Sequence, residues 1–220
     1  MSDPYKTNRR CFIKAISTSS AALVLGFHLP VTAKPGQCAA PAKAFVPNTY
    51  LRIDPDGTVT VTVTKSEIGQ GVRTSLPMIV AEELEADWSR VVVTQAATGM
   101  GFRSLGTGGS WAIGGNWTPL RTAGATAREM LVSAAAAAWG VDRATCRAEK
   151  GSVVHVPTGR RLGYGELAEA ASKLPVPTNP PLKDPKNYTI IGTRRPRIDG
   201  RPIVTGTATF GLDVRVPGMK

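Results

Sequence analysis

Cysteine and histidine are nearly missing from this chain, with three Cys and two His in 220 residues. Cys11, Cys38 and Cys146 form no CxxC pair and no Cys/His cluster. Neither a disulfide framework nor a zinc or iron–sulfur site built by this chain alone is therefore expected. His28 and His155 stand far apart without ligand-like companions, and no protein-ligated metal is expected. Ser75 and Ser110 have no His/Asp arrangement in sequence to activate them. The sequence GxxxxGK[ST] is absent, and Gly106-Thr107-Gly108-Gly109-Ser110-Trp111 lacks the third glycine of GxGxxG. A P-loop and a Rossmann fold are thus poorly supported. No internal repeat is present.

Acids are also short, 16 Asp and Glu against 27 Lys and Arg, giving a net charge of +11. The imbalance is not spread evenly. Residues 1–47 carry six basic residues against one acid, and residues 183–220 carry eight against three. The intervening 135 residues are nearly neutral, at thirteen against twelve. A nucleic-acid domain would carry its charge on the folded core, so no nucleic-acid partner is expected.

Residues 7–14 read TNRRCFIK and lead into the milder apolar run AISTSSAALVLGFHLP. Arg9 and Arg10, followed by Phe12, Ile13 and Lys14, look like a twin-arginine export signal. The run is too short and too rich in Ser and Thr to span a bilayer stably. Cleavage is expected near Ala42–Ala44 or Cys38–Ala40, and an uncleaved leader would act as a membrane anchor. The expected location is the periplasm. Twin-arginine export goes with proteins that fold around a cofactor before crossing.

An α+β fold is expected beyond the leader. Tyr50–Ile53 and Thr58–Thr64 alternate as strands around Asp54-Pro55-Asp56-Gly57, a β-hairpin. Val72–Ala86 has helical spacing, with Pro77 inside it as a start or kink. Val91–Thr94 reads as a short strand, and residues 97–118 as a glycine-rich loop too long for a simple connection. An Ala-rich helix follows over Pro119–Trp139, stopped by Gly140. Cys146–Glu149 and Ser152–Val156 form a second hairpin, and Tyr164–Ser172 a short helix. The Pro-rich stretch after it reads as a linker, and YTIIG and TGTATFGLDV beyond as strands. The expected divisions are a leader and linker at 1–47, an α+β domain at 48–174, a linker at 175–187 and a truncated further segment at 188–220.

Two loops draw the functional reading. Gly69-Gln70-Gly71 and Thr107-Gly108-Gly109-Ser110 each enter a helix, and their glycines let backbone N–H groups approach a ligand. Gln70 adds an amide that can donate and accept. Together they could hold a phosphate-bearing cofactor; the alternative is two glycine turns beside a packed Trp111. Glu67 is expected to be a solvated loop carboxylate rather than an acid or base. The basic run Arg194–Arg201 reads as a solvated linker or a docking face for an acidic partner.

In order, DGTVTVTVTKSEIGQGVRTSLPMIVAEEL, GTGGSWAIGGNWTPLRTAGATAREML, GRRLGYGELAEAASKLPVP and IGTRRPRIDGRPIVTGTATFGLDVRVPGM resemble one family over nearly the whole chain. It is the molybdopterin-binding large subunit of the xanthine dehydrogenase/aldehyde oxidase family, in its isoquinoline 1-oxidoreductase beta-subunit type. The resemblance implies a molybdenum hydroxylase whose metal is held by a pterin dithiolene, in bacteria usually as the cytosine dinucleotide. It implies aldehydes or N-heterocycles as substrates and water as the oxygen source. Electrons would leave through a separate [2Fe–2S] subunit, sometimes onward to a cytochrome. It makes Gly69, Gln70, Gly71, Thr107, Gly108, Gly109 and Ser110 cofactor contacts, and residues 188–220 the truncated start of a hammerhead-type β-rich domain. The family's catalytic glutamate belongs to a GVGE-like motif that does not occur here, so no catalytic residue is expected in this chain and the chain alone is expected to be inactive. The competing readings are a non-catalytic periplasmic binding or scaffold module, and a basic accessory protein that docks on an acidic partner.

Overall fold

The computed structural model of the chain describes residues 23–26, 49–98, 102 and 105–219. Arg9, Arg10, Cys11, His28, Cys38 and both candidate cleavage sites lie outside the described residues.

Alternation of Leu51 and Ile53, then of Val59, Val61 and Val63, puts one apolar row on one face of a hairpin, and all five are buried. The strands are β2 (Thr49–Ile53) and β3 (Val59–Val63), paired antiparallel with Leu51 opposite Val61. The Asp54–Gly57 turn closes with Asp54 N–H donating to the Thr58 carbonyl at 2.9 Å. Outside β2 lies β1 (Leu23–Gly26), also antiparallel, so part of the expected leader pairs with the sheet. Helix α1 (Val72–Leu84) then crosses over and delivers β4 (Val91–Gln95) parallel to β3, completing the order β1-β2-β3-β4. Pro77 neither starts nor ends α1; it occupies the second turn and is buried.

Helix α2 (Gly114–Trp139) begins five residues before the expected start, because the glycine-rich loop turns helical ahead of Pro119. It packs on α1 through small residues. A Cβ on Gly124 would stand 2.6 Å from the Val80 carbonyl oxygen and 2.8 Å from the Glu83 Cβ, so the crossing is close enough to require glycine. Gly140 ends α2 at φ 65°. A second, three-stranded meander follows: β5 (Cys146–Glu149), β6 (Ser152–His155) and β7 (Arg161–Gly163). Its first turn places Lys150 and Gly151 at φ 46° and 77°, the geometry of a two-residue hairpin loop. Helix α3 (Tyr164–Ser172) returns to the core, where the Tyr164 hydroxyl donates to the Leu84 carbonyl at 2.6 Å and ties down the end of α1.

Residues 173–199 depart from expectation. The Pro-rich stretch is extended, but it is a strap bonded to α1 rather than a free linker. Arg128 donates to the Pro181 carbonyl, and the backbone N–H of Lys183 donates to Glu83 at 2.8 Å. The expected strand YTIIG does not form. The N–H groups of Thr189, Ile190 and Ile191 are spent on the Glu82 carboxylate instead of a sheet partner. Nor does TGTATFGLDV form a strand. The chain makes a short helix α4 (Gly200–Val204) and a single 3₁₀ turn at Gly211–Asp213, and no described strand lies alongside. The fold class is mixed helix and strand, as expected.

Candidate functional site

The expected site residues lie in two loops that the structure brings together. The first leaves β3 and enters α1; the second enters α2. They are joined at Ser66, whose N–H and hydroxyl both donate to the Leu105 carbonyl, at 3.1 and 2.9 Å. In return the Thr107 hydroxyl donates to the Ser66 carbonyl at 2.7 Å, and the Lys65 ammonium donates to the Gly106 carbonyl at 3.2 Å. Thr107 is thus a fastener between the loops.

Within the first loop, Gly69 and Gly71 take φ values of 105° and 81°, which L side chains rarely adopt. The loop is wired by its own side chains. Glu67 accepts from the N–H groups of Gly69 at 2.9 Å, Gly71 at 2.8 Å and Arg73 at 3.1 Å. Gln70 accepts from the Ile68 N–H at 2.6 Å and donates to the Ser66 carbonyl at 2.9 Å. This corrects two expectations. Glu67 is not a solvated carboxylate: its side chain is 14% exposed and it caps the start of α1. Burial works to raise its pKa, but the three backbone donors and the nearby Arg197 charge outweigh this and hold the carboxyl below its ordinary range. And the N–H groups of Gly69 and Gly71 are not free for a ligand, because Glu67 already occupies them.

The second loop differs. Gly108 to Trp111 form a turn closed by the Trp111 N–H and the Gly108 carbonyl at 3.2 Å, with Gly109 and Ser110 at φ 59° and 54°. Ser110 is a non-glycine residue in the left-handed region, a conformation that costs about 1–3 kcal/mol and is held by its surroundings. The N–H groups of Gly108, Gly109 and Ser110 donate to no described residue. A Cβ placed on Gly69, Gly71, Gly108 or Gly109 meets no described atom within 4 Å. All four glycines therefore face open space. Ile68 and Trp111 are 73% and 71% exposed, so Trp111 is not a packed core residue.

The other sequence candidates are absorbed by the fold. The Ser75 hydroxyl donates to the Gly71 carbonyl at 3.1 Å. His155 is buried, with Nδ1 2.7 Å from the Thr158 hydroxyl and its ring near Trp139. Cys146 is a free, half-buried thiol. Arg197 is exposed but tied down: it donates to Asp199 through Nε and Nη2, both at 3.0 Å, and to the Gly69 carbonyl at 3.0 Å. Among the described residues no group of three or more His, Cys, Asp or Glu could hold a metal, and no helix is long and apolar enough to cross a membrane.

Glu82 and Glu83 escaped the sequence reading. Both are fully buried. Glu82 accepts from the Lys183 ammonium at 2.7 Å and from the backbone of Thr189, Ile190 and Ile191. Glu83 accepts from Arg121 at 2.6 Å, Arg128 at 3.3 Å and the Lys183 N–H. A signal was available: Glu83 falls four residues after Ile79 and three after Val80, on the apolar face of α1.

A family model described as a molybdopterin cofactor-binding domain matches residues 14–216. The isoquinoline 1-oxidoreductase subunit beta of Brevundimonas diminuta is 33% identical over 97% of this chain and 32% of its own length. A membrane-bound aldehyde dehydrogenase [pyrroloquinoline-quinone] of Gluconacetobacter polyoxogenes is 31% identical over 96% of this chain and 28% of its own. The crystal structure of quinoline 2-oxidoreductase from Pseudomonas putida 86 matches 55% of this chain and 15% of that one, at 29% identity and a TM-score of 0.46. The chain spans about a third of the length of the curated relatives it matches.

Proposed function

As the chain belongs to the molybdopterin-binding large subunits of this hydroxylase family, we propose that it is part of a molybdenum hydroxylase and that its two joined glycine loops hold the pterin cofactor. The observation that carries this reading is the open space before Gly69, Gly71, Gly108 and Gly109. Side chains there would fill a face that two fastened loops otherwise keep bare. The residues fit the group in a divided way. Gly108, Gly109 and Ser110 have N–H groups that donate to no described residue and suit the cofactor's oxyanions. Gly69, Gln70 and Gly71 supply a bare wall shaped by Glu67, and Thr107 holds the two halves in register.

When bound, the cofactor supplies two-electron oxidation of an aldehyde or N-heterocycle with oxygen from water; this chain's own residues bind it and exclude bulk from its approach. The relatives, one an isoquinoline oxidoreductase subunit and one an aldehyde dehydrogenase, support those substrate classes. In the same reading the cofactor is the cytosine dinucleotide form, electrons pass to a [2Fe–2S] subunit and in some systems a cytochrome, and residues 188–220 belong to a hammerhead-type domain. Export to the periplasm by the twin-arginine route belongs to it too, on the strength of Arg9 and Arg10. No GVGE-like motif occurs in these 220 residues, so the reading assigns this chain no catalytic residue and, by itself, no activity.

The test is molybdenum and pterin content of the protein purified from its native host, beside a Gly108→Leu variant. Gly108 is not in the left-handed region and has room for a side chain, so the variant should fold normally by circular dichroism. Its cofactor content should fall by at least about tenfold. Absence of molybdenum and pterin from the unsubstituted protein would overturn the reading.

A further inference from the structure

The strap side of the first glycine loop encloses a second feature, a cavity of about 860 Å³ between the loop and residues 197–210. None of Thr107–Ser110 lines it. It is therefore separate from the second loop, while Ile68 and Gly69 of the first loop line it, so it adjoins the wall assigned to the cofactor. Its walls combine apolar and charged groups. Ile68, Ile203 and Phe210 line it and are exposed, which is the state of a surface waiting to be covered.

Four charged side chains line the cavity: Glu67, Arg73, Arg197 and Asp199. Three are fully engaged. Glu67 is met by three backbone N–H groups, and Arg197 grips Asp199 through two parallel bonds while its third nitrogen holds the Gly69 carbonyl. Arg73 is left over. Its guanidinium forms no hydrogen bond or ion pair with any described residue, and its Nε is buried without a partner. Asp199 is near enough to feel its charge but bonds to Arg197 instead. A buried, unpaired guanidinium nitrogen is rare in a folded protein and points to a missing partner. The planar fork of an arginine matches a carboxylate or phosphate. The volume exceeds what a bare anion fills and lies within the range of small-molecule sites.

We infer that this cavity binds a small amphiphilic anion, with its oxyanion on Arg73 and an apolar body against Ile68, Ile203 and Phe210. Calorimetric titration of the 220-residue chain with benzoate, benzamide and inorganic phosphate tests each part. Benzoate should bind, with benzamide and phosphate each weaker by at least about tenfold. Arg73→Gln should weaken benzoate by a similar factor, Phe210→Ala should weaken benzoate but not phosphate, and Arg147→Gln, on the exposed meander, should change nothing. Equal affinity for benzoate and benzamide would remove the role of the charge, whether or not the Arg73 variant folds. Phosphate binding as tight as benzoate would remove the apolar body, and no benzoate binding at millimolar concentration would overturn the site.

Discussion

At the N-terminal end of α1, Glu67 turns its carboxylate onto three backbone N–H groups and remains at the rim of a cavity. At the C-terminal end, Glu82 and Glu83 receive backbone N–H groups, an ammonium and two guanidinium groups in full burial. The chemistry is the same at both ends, a carboxylate gathering main-chain donors from a segment without regular structure. The degree of saturation differs. The C-terminal carboxylates take up the strap N–H groups that face them, leaving only the buried Tyr188 hydroxyl of the strap without a partner among the described residues, whereas at the N-terminal end the Arg73 guanidinium and the N–H groups of Gly108–Ser110 have no described partner and four glycines face open space. Saturated buried charge marks the part of a fold that holds another part in place. Unsaturated charge beside empty volume marks where something else belongs.

The largest test of this contrast breaks the saturated end. Glu82→Ala leaves the buried Lys183, 9% exposed, with Glu85 at 2.7 Å as its remaining carboxylate partner, and strands three backbone donors. Breaking a buried pair by removing one partner costs about 3–5 kcal/mol, to be read as a fall in the urea midpoint with amide exchange rising at Thr189–Ile191. The same end sets an acid limit. Burial acts to raise the Glu82 carboxyl, but Lys183 and the strap N–H groups outweigh it and hold the pKa below the ordinary 4.5. A carboxyl depressed in the fold gives stability that is present above 4.5 and lost as pH falls through the folded value. Burial acts against the Lys183 charge, yet Glu82 and Glu85 raise its pKa above 10.5, so that contribution persists below 10.5 and is lost only above it. Stability measured from pH 8 downward should therefore hold until about 4.5 and then drop, and Glu82→Gln should flatten the acid limb.

A smaller effect is expected midway along α1. Gly124→Ala forces a methyl to within 2.6 Å of the Val80 carbonyl, so α2 must back away from the helix that links the two ends. Overpacking of this kind costs about 1–3 kcal/mol, and thermal unfolding reads it. If the two ends of α1 are independent, cofactor content should change no more than stability explains; a larger loss would show that the ends communicate.

How far the sequence could carry this contrast depends on the range of each interaction. The hairpin β2–β3 was legible because alternation and an Asp-Pro-Asp-Gly turn are local, and α1 and α3 were legible from apolar spacing. The loops at Gly69–Gly71 and Thr107–Ser110 were legible as glycine clusters ahead of helices. Their fastening through Ser66 was not, because it joins residues about forty positions apart. The strap was misread for the same reason. A Pro-rich stretch looks like a linker until a buried carboxylate a hundred residues earlier claims its N–H groups. The strand-like TGTATFGLDV has the right composition, but a strand also needs a neighbouring edge, and none lies beside it among the described residues.

The smallest expected effect lies at the unsaturated end and decides what Glu67 is for. Glu67→Gln keeps an acceptor at the start of α1 but loses the charge that meets three N–H dipoles and Arg197. Replacing a capping group costs about 0.5–2 kcal/mol, and this conservative change should fall at the low end. Its signature is local: amide exchange should quicken at Gly69, Gly71 and Arg73 while Thr189–Ile191 stay protected, the reverse of the Glu82→Ala pattern. Were Glu67 a proton-transfer residue instead, the amides would be undisturbed and only activity of the complete enzyme would fall. Exchange that quickens at both ends together would mean that the strap, through Arg197, couples the saturated and unsaturated ends into one unit.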